Sequence, residues 1–359
     1  MCYISTKVEA YRNMPNEVDI LENEIRDKFP DVLDILLLDQ TRSTKSKPRN
    51  IFWATDNYKQ YGPEYFFDKP IKKELITGRH GNMITPRIKK SRAVQKSRSK
   101  GMAEVFTPAW VCNLQNNVID SRWFDREEVF NREFIDENGK HKWETTTSKI
   151  QFPVGEQNKT WRDYIDDTRL EITCGEAPYL TSRYDTTTGE TIATENRIGL
   201  LDRKLRVVNE NCDTVEEWLD AAKDSMKAIY GFEWQGDSLL IARESCLYAI
   251  LDNYRLKFGE KELPPLDYIK EVAVIISWNI WQMDGLKGVV PNSCKSKTIE
   301  VALDLFDDPT SKPKTKTEPC PGCAKNDFFK HNGIYCKIRD WKLNKTEKFI
   351  DSLKKEPMW

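Results

Sequence analysis

Thr168-Arg-Leu-Glu-Ile-Thr-Cys-Gly-Glu-Ala-Pro-Tyr-Leu180 reads as a short strand that runs into an acidic residue and then a glycine turn. Such a turn leaves backbone N–H groups unpaired beside a carboxylate at the carboxyl end of a strand, where open α/β sheets bind nucleoside-containing ligands. One glycine after an apolar stretch is common, so the weight of this segment comes from its neighbours. Two later stretches close in the same way: Ala228-Ile-Tyr-Gly-Phe-Glu233 ends on Glu233, and Asn279-Ile-Trp-Gln-Met-Asp-Gly-Leu286 ends in Asp284-Gly285. Helical patterns over 215–228 and 239–256 and an apolar segment over 268–278 separate the strands, so the expected class is α/β with a parallel sheet. In a doubly wound sheet Glu171, Glu233 and Asp284 converge on one edge.

At 359 residues the chain is long enough for one large domain or two ordinary ones. A net charge of −1 gives no global attraction to a polyanion, so any nucleic-acid contact has to be local. The mean hydropathy of −0.67 implies a hydrophilic surface. The richest apolar run, Ile35-Leu-Leu-Leu38, is far short of a membrane span, and the N-terminus lacks the apolar stretch of a signal peptide. These features imply a cytoplasmic protein with no membrane partner. Nine cysteines, most of them isolated, argue against a secreted disulfide framework.

Along the chain, residues 1–50 read as an N-terminal helical extension, peripheral to the main body, followed by a linker over Gln40–Arg49. Residues 51–100 form a basic arm, with Arg87, Lys89, Lys90, Arg92, Lys96 and Arg98 as candidate DNA-binding residues; a solvated arm is the other reading. A helix is expected after Thr107 as N-cap, with Pro108 in the first helical position. Asp136-Glu-Asn-Gly139 marks a hairpin. The remaining 291–359 segment is rich in cysteine.

With Glu104-Val-Phe-Thr-Pro-Ala-Trp110 ahead of the three strand ends, the chain resembles the gamma-class adenine-specific DNA methyltransferases of restriction-modification systems. The resemblance implies a Rossmann-like, S-adenosylmethionine-dependent domain over 101–290. It places Phe106, Thr107 and Pro108 over the methionine part of the cofactor, and Glu171, Cys174 and Gly175 in the first cofactor motif. Glu233 would hold the ribose hydroxyls with Trp234 beside it, and Asp284 and Gly285 would lie near the adenine. Two departures qualify it. Glu171 and Glu233 are 62 residues apart, whereas the ribose acid commonly follows the glycine turn by about 20 residues, so an insertion near 181–212 is expected to loop out. The family's Asn/Asp-Pro-Pro-Tyr/Phe loop, which holds the target amine and stacks on a flipped base, is absent; the one Pro-Pro lies in Leu263-Pro-Pro-Leu266. The family carries that loop on a strand expected just beyond 351–359. No catalytic residue is therefore assigned, and a partner subunit or a downstream segment is expected to supply the loop. The alternative is a non-catalytic DNA- or protein-binding subunit on a degenerate fold of this kind. A dinucleotide oxidoreductase is disfavoured, because Gly-x-Gly-x-x-Gly is missing.

Cys320-Pro-Gly-Cys323 has the spacing of a zinc knuckle, with Pro-Gly making the turn between thiolates. His331 and Cys336 are the candidate remaining ligands, or Cys294 completes the set; a zinc ion there would be structural.

Overall fold

The computed structural model describes residues 18–102, 104–154, 158–301 and 314–354. The expected helical spacing before residue 18, Cys2 and the tail after residue 354 lie outside them. The described residues form a mixed α/β structure with four small sheets. A hairpin pairs β1 (Asn131–Ile135) with β2 (His141–Thr145) around the Asp136–Gly139 turn, as its sequence implies. The central sheet is parallel, in the order β3 (Arg169–Glu171), β4 (Ile229–Glu233), β5 (Ile280–Gln282). Two further antiparallel pairs follow: β6 (Lys297–Val301) with β7 (Lys314–Glu318), and β8 (Lys337–Asp340) with β9 (Lys345–Lys348).

Each parallel connection carries two helices: Leu200–Asn211 and Val215–Lys227 between β3 and β4, Gly236–Phe258 and Leu266–Asn279 between β4 and β5. The Gly236–Phe258 helix is apolar on nearly every side from Leu239 to Leu251 and is buried along that length, as a helix without a polar face must be. Arg243, fully buried in it, donates to the carbonyls of Ile280 and Ser277 at 2.7 and 3.1 Å and to Leu36 and Leu38. It thereby satisfies carbonyls at the C-terminal ends of the Val32–Leu36 and Leu266–Asn279 helices, where a cation also meets the negative end of the dipole.

That arginine marks the first correction. The N-terminal helices Glu22–Lys28 and Val32–Leu36 are not peripheral: Ile25, Phe29, Val32, Leu33 and Leu36 belong to the main hydrophobic core. The Gln40–Arg49 stretch is a tight reverse turn, closed by Asp39 N–H to Arg49 O at 2.7 Å, rather than a linker.

The 181–212 insertion does not loop out. Leu200, Leu201, Leu205, Val207 and Val208 are buried in the core. Arg203, buried on the same helix, pairs with buried Asp120 at 2.5 Å and donates to Asn113 and Asn117 at 2.8 Å. Lys204 donates to the carbonyls of Tyr164, Ile165 and Asp167. The spacing between Glu171 and Glu233 implies an insertion but not where it packs; here its apolar positions enter the core and Arg203 and Lys204 find buried acceptors.

Candidate functional site

The carboxyl ends of β3, β4 and β5 bring three chain segments to one edge. Past Glu171 the chain turns through Thr173 (φ 49°), Gly175 (φ 53°) and Ala177 (φ 62°), all left-handed, which folds the 173–177 backbone into a compact bend. At its centre Gly175 N–H donates to Glu233 Oε2 at 3.0 Å, so the first turn is fastened to the end of the second strand. Cys174 N–H donates to Phe232 O at 2.8 Å. A Cβ on Gly175 would lie 3.8 Å from the Phe106 ring, which places Phe106 directly over the turn. The Arg87 guanidinium also lies over that ring, 5.1 Å from its centroid.

Glu233 Oε1 accepts from Gln235 N–H at 3.0 Å, so both oxygens already hold one backbone donor and each retains one lone pair. Glu171 differs. Its Oε1 has a long contact from Tyr179 N–H at 3.5 Å, and its Oε2 is buried with no hydrogen-bond partner among the described residues. Burial pushes Glu171 well above the usual carboxylate range, more than the Tyr179 and Leu180 N–H groups lower it, and the nearby Glu233 charge adds to the rise. Burial raises Glu233 as well, against Gln235 and Gly175 N–H groups that lower it. Burial likewise raises the Cys174 thiol, which packs where a Cβ on Gly231 would sit, 3.3 Å from its sulfur.

Thr107 and Pro108 lie where the Ala109–Phe124 helix begins, but the cap is shifted by one residue. Pro108 is the N-cap, and a distant acid caps the helix: Ala109 N–H donates to Asp185 Oδ2 at 2.8 Å. Thr107 contributes its carbonyl, which accepts from Thr186 Oγ1 at 3.0 Å. Trp234 points away from the edge, donating Nε1–H to Ala54 O at 3.3 Å and packing with Phe52 and Trp281. Asp284 is buried just past β5 and pairs with Lys287 at 3.0 Å; Gly285 lies where a Cβ would meet the Phe232 ring at 2.6 Å.

No protein-family model, curated protein or solved structure matches the chain.

The residues expected to touch DNA divide. Arg92 and Lys96 are exposed on the Arg92–Met102 helix, and Lys89 is half-exposed beside Asp19 at 3.7 Å. Arg98 is buried, donating to Asp237 at 2.7 Å and Gln235 at 3.1 Å and pairing with Glu104. Lys90 lies 3.5 Å from the same Asp237, and Arg87 pairs with Glu104 and gives its backbone N–H to Glu176 at 2.7 Å. Three of the six basic residues thus turn inward, neutralising acids next to the sheet edge, because Asp237, Glu104 and Glu176 are themselves buried and require partners. A count of lysines and arginines carries no signal for that.

The cysteine-rich segment holds the second constellation. One donor atom each from Cys294, Cys320, Cys323 and His331 lies within 4.8 Å of the others, a group that could hold a metal ion. His331 Nδ1 stands 3.6 Å from each of the three sulfurs. Gly322 is required beneath it, since a Cβ there would strike the imidazole at 2.6 Å. Burial would raise Cys320, but N–H groups of Asn332, Cys323 and Gly322 and the His331 ring pull it below the ordinary thiol range. Burial, Cys320 and Cys323 raise Cys294: three thiols this close resist joint ionisation unless a cation joins them. Cys336 is the correction. It is fully buried against Phe52, Trp281 and Val290, with its sulfur 3.4 Å from Gln282 O, and takes no place in the cluster. Spacing alone favoured Cys336; Cys294 comes into reach because residues 288–290 pair with 334–336.

No helix among the described residues is long and apolar enough to cross a membrane.

Proposed function

We propose that the carboxyl edge of β3, β4 and β5 is an S-adenosylmethionine site of an adenine-specific DNA methyltransferase, and that the Cys294–Cys320–Cys323–His331 cluster holds a structural zinc ion. The observation that carries the first part is the unpartnered, buried Glu171 Oε2 at the strand end that leads into a turn packed by Phe106 and fastened to Glu233. A buried carboxylate without a donor calls for one. The ammonium of the methionine moiety supplies charge and hydrogen together. Glu233 keeps lone pairs for ribose hydroxyls, and Asp284 lies just past the end of the next strand. The strand order β3-β4-β5 matches one wing of a doubly wound sheet, which is the Rossmann-like reading of this domain. Three cysteines and one histidine are a tetrahedral zinc donor set with no open position, hence structural. Exposed Arg92 and Lys96 remain as DNA contacts.

Titration calorimetry with S-adenosylmethionine tests the reading. Binding that falls about tenfold or more in Glu171→Gln supports it; no binding to the folded protein sinks it. Because the sequence holds no Pro-Pro flanked by an amide and an aromatic residue, the chain alone transfers no labelled methyl group to DNA, and the partner or segment carrying that loop restores transfer.

A further inference from the structure

Asp284 leaves β5 into a turn that uses nearly all its polar atoms. Its N–H donates to Val289 O at 2.8 Å, its carbonyl accepts from Lys287 and Gly288 at 3.0 and 2.8 Å, and its carboxylate accepts from Leu286 N–H at 3.1 Å. Val289 bridges Asp284 on one side and Tyr335 on the other. The outer pairing continues through Val290 N–H to Ile334 O at 2.8 Å and Cys336 N–H to Gly288 O at 3.0 Å. The acid is thus held by a backbone ladder whose outer rung is the 334–336 segment.

Both segments of that ladder run directly into the metal cluster. Cys294 follows Val290 within four residues, and His331 precedes Tyr335 by four. Between ladder and cluster the two segments are pinned further: Ile334 N–H to Ser293 Oγ at 3.0 Å, Lys295 N–H to Asn332 Oδ1 at 3.0 Å and Asn332 Nδ2 to Lys295 O at 2.7 Å. A cavity of about 290 Å³ is lined by Asp284 and Lys287 together with Cys294, Cys320 and Cys323, so the acid and the cluster share one surface. The ladder consists of single bridges and no full strand. So few pairs are marginal in water, whereas metal coordination supplies folding free energy outright.

The geometry points to the metal as the positioning element of Asp284: by binding Cys294 and His331 together it clamps the Val289 and Tyr335 segments in register and so fixes the third acid of the sheet edge. No ligand at the edge touches the metal, yet its affinity depends on the metal being bound. This rests on the edge being a ligand site, and the test separates the two ideas.

The full chain is compared with one equivalent of zinc and after stripping by chelator, reading amide hydrogen exchange over 284–290 and 334–336 against 229–233 of β4, and S-adenosylmethionine binding by calorimetry. Stripping is expected to speed exchange in the first two segments and leave 229–233 protected, and to weaken cofactor binding by about tenfold, within the usual range of coupling between sites. Cys294→Ser reproduces both effects, whereas Cys336→Ser retains zinc and its coupling to the edge. Unchanged exchange over 284–290 after stoichiometric metal loss overturns the inference. So does loss of protection across 229–233 as well, which would make the metal a support of the whole fold, and so does failure of the wild-type chain to take up zinc. If the loaded protein binds no S-adenosylmethionine but 284–290 still loosens on stripping, the coupling stands and the cofactor reading falls.

Discussion

Replacing Arg98 separates a DNA-contacting arginine from a structural one. Its side chain is 3% exposed, and Asp237, 1% exposed, receives Arg98 Nη1 at 2.7 Å, Tyr58 Oη at 2.9 Å and the Lys90 charge at 3.5 Å. Arg98 also reaches Glu104 and Gln235, so one guanidinium ties the Arg92–Met102 helix to the first turn of Gly236–Phe258. Breaking a buried pair leaves an uncompensated charge and costs about 3–5 kcal/mol. Lys90 still faces Asp237, which argues for the lower figure in Arg98→Met: about 3 kcal/mol, or more than a hundredfold in the unfolding equilibrium. An exposed pair such as Arg132–Glu144, 60% and 66% exposed, sets the contrast at about 1 kcal/mol or less. Urea denaturation measures both, and Asp237→Asn in the Arg98→Met background recovers part of the loss by removing the stranded charge. A loss below about 1 kcal/mol, or weaker DNA binding at unchanged stability, refutes the reasoning.

Burial raises the pKa of the Glu171 carboxyl, and an ammonium ligand would favour its ionised form; on the proposed reading S-adenosylmethionine affinity rises with pH, by up to about tenfold per unit, while the free carboxyl titrates, and Glu171→Gln flattens that slope in calorimetry. Glu22 is 1% exposed with neither carboxyl oxygen partnered among the described residues, and burial, together with the neighbouring acid Asp19, raises its pKa. Its proton is held more tightly folded than unfolded, so this group's contribution falls as pH rises above the unfolded value of 4.5; Glu22→Gln stabilises the protein by about 2 kcal/mol near pH 8 and little near pH 4, read by denaturation at both. One zinc per chain is expected in the wild type and in Cys336→Ser and none in Cys323→Ser, measured by elemental analysis, with cobalt substitution giving the visible bands of a tetrahedral thiolate site.

The three strands and their terminal acids were legible because each apolar run stops on a carboxylate followed by turn residues. The Val215–Lys227 helix was legible from its apolar spacing, while its Thr214 cap, which accepts from Glu217 N–H at 3.2 Å, is a finding of the structure. What sequence concealed is mostly buried charge. Arg98, Arg203, Lys204 and Arg243 are all buried, yet in sequence a cation destined for buried carbonyls is identical to one in water. The basic 87–100 segment is misplaced for that reason, and the 181–212 segment because a long gap between two acids does not reveal that its apolar positions pack in the core. Cys336 failed similarly: a cysteine's spacing from a knuckle says nothing about which face of a loop it occupies.

These buried charges also answer how so small a sheet can hold a site. β3 and β5 are three residues each and β4 is five, too little pairing to fix an edge by itself. The edge is braced from outside the sheet at each acid. At Glu233 the brace is Gly175 N–H of the 173–177 turn together with Gln235 N–H, and Arg98 and Lys90 hold Asp237 two residues further on. At Asp284 it is the backbone ladder that ends in the metal cluster. At Glu171 it is a long contact from Tyr179 N–H, with the Leu180 N–H beside it. The acid left least satisfied is thus Glu171, whose Oε2 has no partner among the described residues. On the proposed reading, an edge braced at two acids and short of a donor at the third is preorganised for a ligand that brings its own cation, and such preorganisation lowers the ordering cost of binding.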